Sequence, residues 1–130
     1  MDPARLRAFA VFAGLPEAEL LELAAAMSEV EAEAGEVVVA RGDFGYAINA
    51  IEQGEADVVL EGGEAGETLG PGDAFGEIAF FVTERRTASV VARTPMKLLR
   101  LFAQDFHRIR ARVPDLERSL RRLGGERLSR

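Results

Sequence analysis

At 130 residues with a net charge of −6, the chain has the size of one domain. It has no Cys and a single His, His107. This excludes disulfides, thiolate metal sites, iron–sulfur clusters and a Cys nucleophile, leaves too few imidazoles for a usual catalytic zinc centre, and would force any Ser–His–Asp triad through one residue.

The spacing of Leu6, Phe9 and Ala10 predicts a first helix, broken at Gly14-Leu15-Pro16. Pro16 suits the first turn of a second helix, with Glu17 and Glu19 near its positive dipole end. Leu20, Leu23, Ala24 and Met27 give that helix one apolar face, read as core packing. After Met27 glycines punctuate the chain from Gly35 to Gly76. Between them lie short β-prone runs: Glu36–Ala40, Ala47–Ile51, Ala56–Leu60 and Thr68-Leu69. Two further strands are expected over Thr87–Ala92 and Met96–Phe102, separated by a Thr94-Pro95 turn. Closely spaced short strands with glycine turns point to a sandwich, jelly roll or small barrel. Phe106, Ile109, Arg110 and Val113 then form a helical row that Pro114 breaks. Leu116, Leu120 and Leu123 share a face of a last helix, for which Gly124-Gly125 is the expected stop.

These elements make a mainly β chain with flanking helices, an antiparallel β-roll of jelly-roll type. The expected division is a single domain over 1–130: N-terminal helices 1–28, roll 29–102 with a ligand cassette at 75–88, C-terminal helices 103–123, and a tail 124–130. No apolar run approaches the roughly 20 residues of a membrane span. No signal-type stretch follows Met1-Asp2-Pro3-Ala4-Arg5. The expected location is cytoplasmic.

Charge is unevenly spread. Residues 1–84 hold 3 basic and 18 acidic side chains, net −15, whereas residues 85–130 hold 13 basic and 4 acidic, net +9. Lys97 is the one Lys among the 16 basic residues. The arginines at 108, 110, 112, 118, 121, 122, 127 and 130 could contact nucleic-acid phosphates. No interleaved aromatics or recognition-helix motif accompany them. They read instead as a solvated helix face offsetting the acidic front, with partner docking as the alternative.

The chemistry concentrates in Gly70-Pro71-Gly72-Asp73-Ala74-Phe75-Gly76-Glu77-Ile78-Ala79-Phe80-Phe81 and in Arg85-Arg86-Thr87-Ala88-Ser89-Val90. Gly76 lets backbone approach a ligand closely. A short helical turn starting at Glu77 would offer free N–H groups to an anion. Arg86 and the Thr87 hydroxyl could close over the same anion. A carboxylate beside an anion site makes sense if it accepts hydrogen bonds from sugar hydroxyls. A nucleotide offers both a phosphate and a sugar diol.

The run Phe75-Gly76-Glu77-Ile78-Ala79, followed nine residues after Glu77 by Arg86-Thr87-Ala88, resembles the phosphate-binding cassette of cyclic nucleotide-binding domains. Arg41-Gly42-Asp43-Phe44-Gly45 and Ile51-Glu52-Gln53-Gly54-Glu55 resemble the β-roll of that family. Phe12-Ala13-Gly14-Leu15 and Asp105-Phe106 match its flanks. The resemblance runs from Leu6 to Leu123. It implies that Glu77 accepts the ribose 2′-hydroxyl and that Arg86 pairs with the cyclic phosphate. Backbone N–H groups near Gly76, Ile78, Ala79 and Ala88 would cradle the phosphate oxygens, and Thr87 would add a hydroxyl to phosphate or purine. The implied ligand is cAMP, with cGMP left open because Thr87 does not settle the base. No catalytic residue, metal or cofactor is implied. A C-terminal helix would close over the purine, capped by Leu116, Leu120 or Leu123, and a downstream protein would read its position. A homodimer stays open.

Three departures from the family pattern stand out. Asn49 replaces an aromatic and needs polar partners. Phe102-Ala103 precedes a helix where relatives often carry a Ser cap, and a lost cap costs about 1 kcal/mol. The chain also ends after its last helix, where relatives continue into other modules. Glu77 and Arg86 could instead form a structural ion pair in a roll without ligand, but the presence of both favours binding. Arg85 reads as a solvated neighbour and His107 as an ordinary helix residue. The alternatives to a nucleotide sensor are a ligand-free interaction domain of the same fold, or a piece of a larger cAMP-regulated transcription factor or channel. An enzyme is disfavoured because Glu77 has no second catalytic group at motif spacing.

Overall fold

The computed structural model describes residues 1–39, 47–60, 62–76 and 88–128, with side chains as far as 123. A 3-10 helix, Pro3–Ala8, is capped by Asp2, whose carboxylate accepts from the Ala4 N–H at 2.9 Å. Phe9 is extended, so the expected first helix is split, and a single α-turn follows as α1, Ala10–Ala13. The expected second helix forms as α2, Glu17–Ala26, with Pro16 at its N-cap, one residue before the first turn where the sequence places it.

Among the described residues eight strands follow: β1 Ser28–Ala32, β2 Val37–Val39, β3 Ala47–Gln53, β4 Ala56–Val59, β5 Ala65–Leu69, β6 Ala74-Phe75, β7 Ser89–Ala92 and β8 Met96–Phe102. They form two four-stranded sheets, A in the order β1-β8-β3-β6 and B in the order β2-β7-β4-β5. Every pairing among the described residues is antiparallel. The expected roll with flanking helices is therefore the observed architecture. The strands β1 and β6 are additions to the sequence reading. Strand β1 is an acidic edge strand with mostly exposed positions, and charge on an edge blunts intermolecular pairing.

The chain closes with α3, Ala103–Ile109, a 3-10 turn at Arg110–Arg112, and α4, Pro114–Leu128. Helix α4 corrects the reading of Gly124-Gly125 as a stop, and with it the tail from 124, because the helix runs on to Leu128. Glycine lowers helix stability by about 1 kcal/mol relative to alanine, but unlike proline it keeps its N–H and can continue the ladder. Among the described residues no helix is long and apolar enough to cross a membrane.

Two cores hold these layers. One joins Leu6, Phe9, Phe12, Leu20 and Leu23 of the N-terminal helices to Phe106, Ile109, Leu116 and Leu120, and seats them all on Ile48, Ala50, Leu99 and Leu101 of sheet A. The other lies inside the roll and includes Ile51, Phe75 and Leu98 from sheet A with Val39, Ala56, Val90 and Ala92 from sheet B. Sheet A is thus covered on both faces, and the first five residues of β3 are all buried. A doubly covered strand loses the polar–apolar alternation of a half-exposed one. The β3–β4 turn is fixed by Gly54 at φ +94°, where a Cβ would stand 2.4 Å from the Pro95 carbonyl oxygen.

Candidate functional site

The two ends of the expected cassette are placed on different sheets. Strand β6 pairs with β3 in sheet A, with Asn49 opposite Phe75 and Ala50 opposite Ala74. The preceding turn is held by its own side chain: the Gly70 N–H donates to the Asp73 carboxylate at 2.8 Å, and the Asp73 N–H donates to the Gly70 carbonyl at 3.0 Å. Gly76 follows at φ +97°, a left-handed conformation that a side chain would strain. At the far end Ala88 leads into β7, which pairs with β4 and β2 in sheet B. Of the sequence-predicted ligand contacts, Gly76 and Ala88 are placed, Gly76 directly after β6 of sheet A and Ala88 directly before β7 of sheet B. Glu77, Ile78, Ala79, Arg86 and Thr87 lie outside the described residues, as does Arg85.

Asn49 lies opposite Phe75, the first residue of the cassette. It is 1% exposed, and its side-chain oxygen accepts from the Arg100 Nε at 2.7 Å. The buried amide that replaces an aromatic therefore has the partner that burial demands. Arg100 lies directly opposite Asn49 on β8, so sheet register supplies the contact.

The C-terminal helices are placed differently from a free lid. Phe102 caps α3 with no side-chain hydrogen bond, as its residue type predicts. Leu116 and Leu120 are wholly buried in the helix-side core, and Leu123 packs at its margin. In this conformation Leu116 and Leu120, expected as base caps, are interior residues of a helical bundle.

Carboxylates meet the arginine row. Arg108 pairs with Asp105 at 3.0 Å, Arg112 with Glu22 at 3.1 Å and Arg121 with Glu117 at 3.7 Å. Arg110 pairs with Glu117 and Arg118 with Asp115. The Arg110 hydrogen bond is the main reason that the Glu117 carboxyl is held below its ordinary range. His107 is exposed on α3, tilted against the Phe106 ring.

One residue with a long-range role escapes local reading. Glu19, only 6% exposed, accepts from the backbone N–H groups of Leu116 at 2.9 Å and Asp115 at 3.2 Å. The signal available in the sequence is negative: Val113 precedes Pro114 where a Ser, Thr, Asp or Asn cap would be expected.

A groove of about 530 Å³ lies elsewhere, lined by Glu31, Glu33, Glu36, Gln53, Pro95, Met96 and Lys97. Three carboxylates against one ammonium make it a poor place for a phosphate, and none of its residues belongs to the cassette. Among the described residues no group of three His, Asp or Glu side chains could hold a metal ion.

The family model for the cyclic nucleotide-binding domain matches residues 29–113, a span that contains the whole cassette. The chain belongs to the cyclic nucleotide-binding domain family. It is 35% identical over 109 residues to the cAMP-dependent protein kinase regulatory subunit of Schizosaccharomyces pombe, covering 84% of this chain and 26% of that protein. Among solved structures, the catabolite activator protein of Thermus thermophilus matches with a TM-score of 0.81 and 28% identity, over 92% of this chain and 58% of the other. The regulatory subunit of a cAMP-independent protein kinase A from Trypanosoma brucei matches with a TM-score of 0.77 and 29% identity, over 88% and 44%. The chain spans less than a third of the length of the curated relatives it matches. Those relatives are named as regulatory subunits of a cAMP-dependent protein kinase.

Proposed function

We propose that the chain is a non-catalytic sensor of a 3′,5′-cyclic nucleotide, in the first instance cAMP. The observation that carries this reading is the family match across 29–113, within which this sequence retains Glu77, Arg86 and the glycine before them. Glu77 accepts the ribose 2′-hydroxyl and Arg86 pairs with the cyclic phosphate as a planar cation. Backbone N–H groups at Gly76, Ile78, Ala79 and Ala88 surround the phosphate oxygens, and Thr87 adds its hydroxyl. Cyclic AMP is favoured because the fungal relatives are named as cAMP-dependent. The output is a shift in the position of the C-terminal helices, read by a downstream protein.

Calorimetry with cAMP, cGMP and AMP on wild type, Glu77→Ala and Arg86→Ala tests the reading. Wild type is expected to bind cAMP and to discriminate against AMP. Arg86→Ala should weaken cAMP binding at least about tenfold, the scale of one lost charge-assisted hydrogen bond. Undiminished cAMP binding by Arg86→Ala would overturn the assignment.

The relative named as cAMP-independent supports a second reading, that a roll of this family answers to a ligand other than cAMP. Wild type that ignores cAMP but binds another nucleotide of the panel would favour it.

A further inference from the structure

Helix α4 begins without a cap of its own. Val113 stands before Pro114 and has no polar side-chain atom, and Pro114 has no N–H. The next two backbone N–H groups, of Asp115 and Leu116, are those that a cap residue normally satisfies. Both donate to the carboxylate of Glu19, on a helix 96 and 97 residues earlier in the chain. Glu19 also lies in the first turn of α2, so this one carboxylate sits at the positive ends of two helices.

Two further contacts join the same elements. The Ser119 hydroxyl donates to the Val11 carbonyl at 2.5 Å, and Arg112 reaches Glu22 at 3.1 Å. Leu116 and Leu120 are buried in the same cluster as Phe12 and Leu20. Apolar contact alone is non-directional and would let α4 slide or turn. A carboxylate fixed to two successive N–H groups sets both the axial position and the direction of the helix start.

We propose that Glu19 is the positioning residue that clasps α4 to the N-terminal helices, so that both ends of the chain shift over sheet A as one unit. This rests on the nucleotide-sensor reading for its trigger. It changes the output surface: a partner could read the ligand state from α2 as well as from α4.

The test is residue-resolved amide exchange by NMR on the full chain, for wild type, Glu19→Gln and Glu19→Asp. Arg5→Gln, which breaks ion pairs away from α4, controls for general destabilisation. Without nucleotide, the Asp115 and Leu116 amides should exchange about tenfold faster or more in Glu19→Gln, and not in Arg5→Gln. Glu19→Asp, whose shorter arm cannot span the same gap, should behave as Glu19→Gln does. On saturation with cAMP, wild type should respond in residues 10–26 and 114–123 together. Glu19→Gln should keep the 114–123 response and lose that of 10–26. Unchanged Asp115 and Leu116 amides, or a 10–26 response that survives in Glu19→Gln, would overturn the clasp. If wild type binds no cAMP, the sensor reading fails, and the two amides alone decide whether Glu19 positions α4.

Discussion

Sheet A and sheet B have four antiparallel strands each but live in different surroundings. Sheet A is packed on one face by helices from both chain ends and on the other by the roll interior. Sheet B has a single buried face: β5 is exposed at four of its five positions, and β7 alternates between half-buried and buried. A doubly covered sheet is an anchored platform, whereas a singly covered one has fewer contacts to lose when it shifts. The cassette leaves the first at Gly76 and joins the second at Ala88. A ligand bound between those points would join an anchored sheet to a more compliant one.

The comparison is broken most severely from the helix side. Phe106 of α3 is fully buried, and Phe106→Ala should cost about 3–5 kcal/mol of stability in urea denaturation. A cost below about 1 kcal/mol would mean that the helices do not anchor sheet A.

A smaller effect separates two ion pairs by pH and salt. On the sheet A side, Arg5 donates to Glu52 on β3 at 2.9 and 2.7 Å, tying the first helix to the sheet. On sheet B, Arg93 meets Asp57 on β4 at 2.6 Å, with both side chains more exposed. In each pair the arginine hydrogen bond is the main cause holding the carboxyl below its ordinary value, 4.5 for Glu52 and 3.8 for Asp57. A lowered folded-state pKa gives stability that is fully present above the ordinary value and lost as pH falls through the lowered one. Stability should therefore decline below about pH 4.5, and Glu52→Gln should remove part of that decline, by about 1 kcal/mol or less. Added salt should weaken the Asp57 contribution more than that of Glu52. Denaturation midpoints at pH 3 to 6, with and without salt, check both statements. An acid profile unchanged by Glu52→Gln would show that the tie contributes nothing.

The smallest effect belongs to sheet B. Val37, on its edge strand β2, is 54% exposed, and Val37→Ala should change stability by no more than about 0.5 kcal/mol. A larger loss in the same urea experiment would show that this edge is covered in solution.

Much of this architecture is legible locally. Apolar spacing and glycine or proline punctuation mark α2, the cores of β2, β3, β4, β7 and β8, and the Thr94-Pro95 turn, because each depends on a few consecutive residues. Strand β5 is longer than Thr68-Leu69 because Gly66, which weakens a strand signal, sits inside it with its Cα side against Val58. Strand β6 has only two residues and no period to read.

The sequence by itself determined the families of chemistry open to this chain. With no Cys and one His it is left arginine, carboxylates, hydroxyls and backbone N–H groups, and the contiguous cassette motif is where the sequence expects them to act. Tertiary structure alone decided the rest. Register across β3 and β8 gave Asn49 its partner in Arg100. Packing made Leu116 and Leu120 bundle interior. A carboxylate on α2 became the cap of α4. These facts join residues 50 to nearly 100 positions apart, and a local pattern carries no record of which distant group will satisfy a buried polar atom.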